Sequence, residues 1–260
     1  MMKPLLALEN VSKTFRRSGG TVVRAVRTVS LAVGRGETLA LVGESGSGKS
    51  TLGRIALGLL RPDSGRVLLE GRALDEMPAA ELRRRRVAVQ PIFQDAGASL
   101  NPRRSVAELL GQALRLSPSG CETAAVAERA GELLDAVGLR PARDYLERYP
   151  HELSGGQRQR LAIARALAME PSLIVADEPL SGADVSIRGQ ILNLLIDVKE
   201  RRGIAYLMIT HDISIARAFA NRVAVMMQGE LVEIGPSQQV LRMPTHPYTQ
   251  RLLAAVPALA

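Results

Sequence analysis

The residues whose types and spacing best suit chemistry fit a phosphate-binding template, G-x-x-x-x-G-K-[ST], in Gly43-Glu44-Ser45-Gly46-Ser47-Gly48-Lys49-Ser50. Glycines in such a loop let backbone N–H groups come close to phosphate oxygens. Lys49 supplies a point charge for the β- and γ-phosphates, and the Ser50 hydroxyl is a potential ligand for Mg²⁺. We therefore predict that residues 43 to 50, with Thr51, bind a nucleoside triphosphate and Mg²⁺.

The elements on either side of this loop favour that interpretation. The apolar run 37–42 predicts a buried strand that enters the loop, and 51–57 predicts a helix that leaves it. Such a helix directs its positive N-terminal end at the phosphates. The alternative is a Gly/Ser-rich surface turn, which the strand–loop–helix setting disfavours.

A second candidate site follows the apolar run 172–176, which predicts a strand ending in Asp177 and Glu178. An Asp at the end of such a strand holds Mg²⁺, directly or through water. The adjacent Glu178 is placed to polarise the water that attacks the γ-phosphate. Two carboxylates at a solvated strand exit are the alternative interpretation.

A glycine-containing turn precedes this strand, in Leu153-Ser154-Gly155-Gly156-Gln157, and we predict a helix after it from Arg158 to Met169. A turn leading into a helix presents N–H groups to an anion. With these segments the sequence resembles the nucleotide-binding domain of ABC ATPases over almost the whole chain. The resemblance implies that this turn is the family signature, which contacts the γ-phosphate held by the opposite subunit.

The resemblance also implies roles for single residues that carry little weight alone. Gln94 matches the glutamine that senses Mg²⁺ and the attacking water, and His211 matches the histidine that contacts the γ-phosphate. Phe15 lies where the family places an aromatic ring that stacks on adenine. The implied catalytic residues are thus Glu178, His211 and Gln94, and the implied Mg²⁺ ligands are Ser50, Gln94 and Asp177.

One segment departs from the family pattern. Where relatives usually read Ser-Ala-Leu-Asp after the catalytic Glu, this chain reads Ser181-Gly182-Ala183-Asp184. Ser181 and Asp184 keep their places in this D-loop, but Gly182 has more backbone freedom to lose on ordering. The change bears on how rigidly two nucleotide sites communicate rather than on the basic ability to hydrolyse ATP.

The expected fold is an α/β nucleotide-binding domain with a P-loop (RecA-like) core, a β-rich N-terminal part and a helical subdomain. Alternating apolar strands and helices after residue 172 favour a largely parallel sheet. The stretch 95–165 has helical spacing and carries the signature. We expect one domain over 1–260, with 1–94 and 166–260 as the core and 95–165 as the helical subdomain.

Two segments resemble the peptide and nickel importer branch, the oligopeptide/dipeptide/nickel permease type. The first is Phe93-Gln94-Asp95-Ala96-Gly97-Ala98-Ser99-Leu100-Asn101-Pro102-Arg103, and the second is an H-P-Y-T element that begins at His246. As a simpler alternative, His246 and Tyr248 only tether a C-terminal helix. The resemblance gives this element no catalytic role.

Composition limits the remaining function classes. The chain carries a net charge of +8 and one cysteine, Cys121, so disulfides within the chain and cysteine-held metal clusters are excluded. No apolar stretch approaches the ~20 residues that span a bilayer, and the N-terminus does not resemble a secretory signal. The run Arg83–Arg86 follows a predicted helix, 78–82, and precedes a predicted strand, 87–89. For this run a solvated surface or a membrane-proximal patch is favoured over nucleic-acid binding.

Together these features predict an ATP-hydrolysing subunit that powers an importer of peptides or nickel and other metal chelates. We expect it on the cytoplasmic side of the cell membrane, as a homodimer or as a heterodimer with a homologous ATP-binding subunit. Transmembrane permease subunits are the expected direct partners, and an extracytoplasmic solute-binding protein an indirect one. The alternative is a soluble ABC ATPase that acts on nucleic acid or the ribosome. Which solute is transported stays open.

Overall fold

A computed structural model describes residues 3–16, 20–180 and 185–255, and for 185–187 only the backbone. The chain forms two compact units. The first combines the chain up to residue 82 with the chain from residue 203 onward, and the second is 83–202. The predicted helical-subdomain boundaries at 95 and 165 stay a prediction, although every element between them is helical.

The N-terminal part of the first unit is an antiparallel sheet, as its β-rich sequence predicts. Its strands lie in the order β2-β1-β4-β5. They are β1 (Leu6–Arg16), β2 (Val22–Val33), β4 (Ser64–Leu69) and β5 (Arg72–Ala73). Apolar side chains of β1 and β2, including Leu6, Leu8 and Val33, are almost fully buried. Burial of this face stabilises the sheet by the hydrophobic effect.

The first unit also contains strands in the order β10-β9-β3-β8, with β3 parallel to both of its neighbours. They are β3 (Thr38–Val42), β8 (Ala205–Thr210), β9 (Arg222–Met227) and β10 (Glu230–Pro236). Every residue of β3 and β8 is buried, as is typical of parallel strands covered on both faces. The helices of this unit include α1 (Lys49–Ala56), α9 (Ile213–Phe219), α10 (Ser237–Arg242) and α11 (Pro247–Ala254).

The second unit pairs two parallel strands, β6 (Val89–Ile92) and β7 (Leu173–Asp177). Its helices are α3 (Ala96–Ser99), α4 (Val106–Leu116), α5 (Val126–Ala136), α6 (Arg143–Leu146), α7 (Gly155–Ala168) and α8 (Val185–Arg202). The helix α7 packs against α3, α4, α5 and β6. Its buried side chains, such as Leu161, Ile163 and Leu167, form the centre of this unit.

The arginine run differs from its prediction. The four arginines lie inside helix α2 (Ala79–Val87), and the next strand begins at Val89. The predictions of a helix that ends at Leu82 and a strand that begins at Val87 were therefore wrong. Arginine is a good helix former, and cations in a last helical turn are favourable, so the run extends the helix.

Among the residues that the structure describes, no helix is long and apolar enough to span a bilayer.

Candidate nucleotide site

The phosphate loop lies between β3 and α1, as predicted. Gly43 and Gly48 have φ angles of 149° and 106°, which side chains rarely adopt. A Cβ on Gly43 would lie 2.1 Å from the Met226 carbonyl oxygen, and one on Gly48 would lie 2.1 Å from that of Ala25. Both glycines are therefore required by the surrounding backbone.

Lys49, the first residue of α1, is only 6% exposed. Its ammonium donates to the carbonyl oxygens of Gly43 and Glu44, each at 2.7 Å. A buried ammonium in a glycine-containing loop that leads into a helix suits a ligand with several negative oxygens. The residues present thus fit the phosphates of a nucleotide.

The loop is fixed to the rest of its unit at both ends. The Ser47 amide donates to the Glu44 carbonyl at 3.2 Å, and the Gly229 amide donates to the Ser47 carbonyl at 2.9 Å. The Glu44 amide donates to the hydroxyl of Tyr248, on α11, at 3.1 Å. The exposed turn of the loop lines a cavity of about 580 Å³ with residues of α11 and with Met227 and Gln228.

Two other predicted residues belong to the same unit. Phe15 pairs with Val23 of β2, two residues from the Ala25 carbonyl that faces Gly48, and its side chain is 40% exposed. His211 directly follows β8, and Thr210 pairs with Val42 at the end of β3. The structure therefore brings His211 to the sheet edge where the phosphate loop begins.

The two carboxylates lie in the second unit, together with Gln94. Asp177 ends β7, and Ala176 pairs with Ile92 at the end of β6, so Gln94 and the carboxylates follow adjacent parallel strands. Glu178 has a φ of 50°, which is unusual for a residue with a side chain. Such backbone strain is concentrated at functional sites.

The signature turn is the capped start of a helix. Ser154 is the N-cap of α7, where its hydroxyl accepts from the Gln157 amide and the Gln157 side chain accepts from the Ser154 amide. The prediction that the helix begins at Arg158 was wrong, because this S-x-x-Q capping box starts it at Gly155. It ends at Ala168, one residue before the predicted end.

The start of α7 suits an anion. The first amides of a helix have no partner within the helix, and those of Gly155 and Gly156 occupy its first two positions. Ser154 and Gly155 are exposed, and a Cβ on Gly155 would meet nothing within 4 Å. Leu153, in contrast, is buried, and its carbonyl accepts from the Arg158 guanidinium at 2.6 Å.

The chain also matches the profiles of known families. The profile described as ABC transporter matches residues 26–181, more than half of the chain. The chain belongs to the ABC transporter family. A second profile, described as the oligopeptide/dipeptide transporter C-terminal region, matches residues 232–260. The recognition of an ABC nucleotide-binding domain of the peptide importer branch is confirmed.

The names of curated relatives in the ABC transporter family refer to import or to transport. The chain is 50% identical over 235 residues to the glutathione import ATP-binding protein GsiA of Salmonella paratyphi A, covering 90% of this chain and 37% of that protein. It is 45% identical over 255 residues to the oligopeptide transport ATP-binding protein OppF of Streptococcus mutans, covering 98% of this chain and 82% of that protein. The chain thus spans about two fifths of the length of the GsiA relatives. Neither name refers to a nucleic acid or a ribosome.

Solved ABC cassettes share the fold. A dimeric post-hydrolysis state of the ATP-binding cassette MJ0796, bound to ADP and Pi, has a TM-score of 0.80 and 31% identity, covering 89% of this chain and 98% of that one. The cbiO1 protein of Clostridium perfringens has a TM-score of 0.76 and 29% identity, covering 91% and 90%. The predicted α/β P-loop fold is confirmed.

The structure does not describe the predicted D-loop of this ABC cassette. The D-loop residues Ser181 and Asp184 lie outside the described residues.

Sequence reasoning missed Arg165, whose guanidinium donates to the Ser99 carbonyl at 2.6 Å and so joins α7 to the segment after Gln94. Burial lowers the pKa of Arg165. An arginine within the apolar run of α7 was the signal that could have revealed this bond.

Proposed function

We propose that this chain is the ATP-hydrolysing subunit of an ABC importer that carries peptides across the cytoplasmic membrane. The observation that carries the proposal is the loop of residues 43–50, in which two glycines are sterically required and the buried Lys49 ammonium donates to carbonyl oxygens of the loop. The match of residues 232–260 to the oligopeptide/dipeptide transporter C-terminal region supports the peptide branch. Transport of nickel or of other metal chelates stays a prediction.

Binding follows from the loop. Its N–H groups and Lys49 hold the β- and γ-phosphates, while Phe15 stacks on the adenine ring. Ser50, Gln94 and Asp177 are the proposed ligands of Mg²⁺, which, when bound, neutralises charge on the phosphate oxygens. Thr51, the third residue of α1, lies at the positive end of the helix beside the phosphates.

Hydrolysis needs a base for the attacking water and a group that stabilises negative charge on the γ-phosphate. Glu178 takes a proton from the attacking water, and Gln94 orients that water. His211 donates a hydrogen bond to the γ-phosphate, where negative charge develops in the transition state. The positive φ of Glu178 agrees with a backbone that fixes the direction of its side chain.

A second subunit completes the site. The signature turn from Leu153 to Gln157, in which Ser154 and Gly155 are exposed, contacts the γ-phosphate held by the opposite subunit. The D-loop residues Ser181 and Asp184 link the two sites. The dimeric cassette reported for MJ0796 supports this arrangement. The partner is a second copy or a homologous subunit, and permease subunits anchor the pair at the cytoplasmic face of the membrane. A solute-binding protein outside the membrane delivers the peptide.

The test separates binding from chemistry in the full chain. Lys49→Ala should weaken ATP binding, whereas Glu178→Gln should bind ATP normally and lose about 100-fold or more in turnover, because only the base is removed. A fluorescent ATP analogue measures affinity, and phosphate release measures turnover. Near-normal turnover by Glu178→Gln would remove Glu178 from its role. Absence of peptide uptake in vesicles holding the cognate permease and binding protein would exclude the transport function.

A further inference from the structure

The H-P-Y element at the start of α11 is tied firmly to the first unit. Glu233, on β10, accepts from the Thr245 amide at 2.9 Å and from the His246 amide at 3.2 Å. His246 then caps α11, since its Nδ1 accepts from the Tyr248 amide at 3.1 Å. The direction in which the Tyr248 side chain leaves the helix is therefore fixed.

Tyr248 reaches the phosphate loop from this helix. Its ring is 5% exposed and packs with buried residues of β3, β9, α9 and α10. Its hydroxyl accepts from the Glu44 amide at 3.1 Å. Arg251 and Leu252 on the same face of α11, and Ala255 at its C-cap, line the cavity that the loop also lines.

The bond acts on the peptide unit that also accepts a hydrogen bond from the phosphate-binding Lys49. The Glu44 N–H and the Gly43 carbonyl belong to one planar peptide and point in opposite directions. Tyr248 binds the N–H, and the Lys49 ammonium donates to that carbonyl at 2.7 Å. A rotation of this peptide would break both contacts, so the Tyr248 hydroxyl and the Lys49 ammonium hold the same plane from opposite sides.

We propose that Tyr248 is a positioning residue for the phosphate loop, which makes the C-terminal element part of the nucleotide site; this rests on the proposed ATP binding. Gly43, with φ at 149°, has no side chain that could restrict this peptide. The hydroxyl supplies the restriction instead. The loop is then set for phosphate before the nucleotide arrives, and less ordering opposes binding.

Tyr248→Phe tests the proposal, because it removes the hydroxyl and keeps the ring in the core. Net loss of one hydrogen bond predicts that the KM and Kd for ATP rise about three- to tenfold. Turnover at saturating ATP should stay within about twofold, since Tyr248 touches no reacting atom. The matched control is Tyr149→Phe, the same change at a tyrosine of the second unit whose ring stacks on His151, and it should alter neither constant.

Measurements of Kd, KM, the number of ATP sites per chain and the thermal midpoint decide whether the positioning role stands. An unchanged Kd and KM in Tyr248→Phe would overturn the positioning role. Fewer ATP sites per chain at unchanged Kd, with a lower thermal midpoint, would also overturn it, because that is the result of lost packing alone. If the unaltered chain binds no ATP, the proposed function fails; if it binds ATP and Tyr248→Phe binds equally well, only this inference fails.

Discussion

The phosphate loop and the signature turn are both glycine-containing segments that lead into a helix, yet their surroundings differ. Around Gly43 and Gly48 the chain's own carbonyl oxygens leave no room for a Cβ. Around Gly155 a Cβ would meet nothing within 4 Å. The first loop therefore needs glycine because of its own fold. The glycine of the second has no such reason among the described residues, which agrees with a ligand supplied by another subunit.

The largest expected effect is that of Gly48→Ala. A side chain at this φ is strained, and its Cβ would collide with the Ala25 carbonyl, so we expect the free energy of unfolding to fall by about 2–5 kcal/mol. ATP binding should be lost with it. Chemical denaturation and titration with an ATP analogue measure the two changes. Normal stability would show that the loop relaxes easily and that the contrast between the two loops is false.

Gly155→Ala should have the opposite pattern. Alanine stabilises a helix over glycine by up to about 1 kcal/mol, so unfolding stability should stay the same or rise. Hydrolysis should still fall about tenfold or more, because the added methyl group occupies the place where the partner's phosphate approaches. Steady-state phosphate release beside a denaturation curve checks this. Full activity with unchanged stability would mean that this glycine serves no ligand.

The smallest expected effect concerns acid stability at the contact between β10 and the start of α11. Burial alone would raise the pKa of Glu233, but hydrogen bonds from the Thr245 and His246 amides and from the Thr245 hydroxyl lower it. A lowered carboxyl pKa adds stability above the ordinary Glu value of about 4.3, and that stability is lost as the pH falls through the folded value.

Glu233→Gln should therefore be less stable than the unaltered chain at pH 7 and nearly equal to it below the lowered pKa. Thermal midpoints measured from pH 7 to pH 3 give this comparison, with Glu230→Gln on the exposed start of β10 as the control. A difference between Glu233→Gln and the unaltered chain that does not change with pH would contradict the role of this carboxylate charge.

The sequence predicted the buried parallel strands well and the helix starts less well. The run 37–42 was predicted as a buried strand, and β3 (Thr38–Val42) lies within it, because an apolar run that enters a glycine-containing loop is typical of a buried strand. The start of α7 was missed, since Gly155-Gly156 resembles a turn and its cap depends on the paired side chains of Ser154 and Gln157. The local pattern predicted that the helix ends where the arginine run begins. In the structure the run lies inside α2.

Contacts between distant residues could not be predicted at all. The bond from Glu44 to Tyr248 joins residues 204 positions apart, and no local pattern marks it. The bond from Arg165 to Ser99 joins residues 66 positions apart. The motifs thus identified which residues could perform the chemistry, whereas the structure was needed to show what holds them in place.

The central claim is that the phosphate loop and the signature serve the same nucleotide from different subunits. The direct test mixes Ser154→Arg subunits with Lys49→Ala subunits, each inactive alone. Mixed dimers contain one intact site, so roughly a quarter of normal hydrolysis should return in an equal mixture. A mixture of Lys49→Ala and Glu178→Gln, whose residues serve the same half-site, should recover nothing. Hydrolysis by the first mixture no greater than that of its two components would contradict the account.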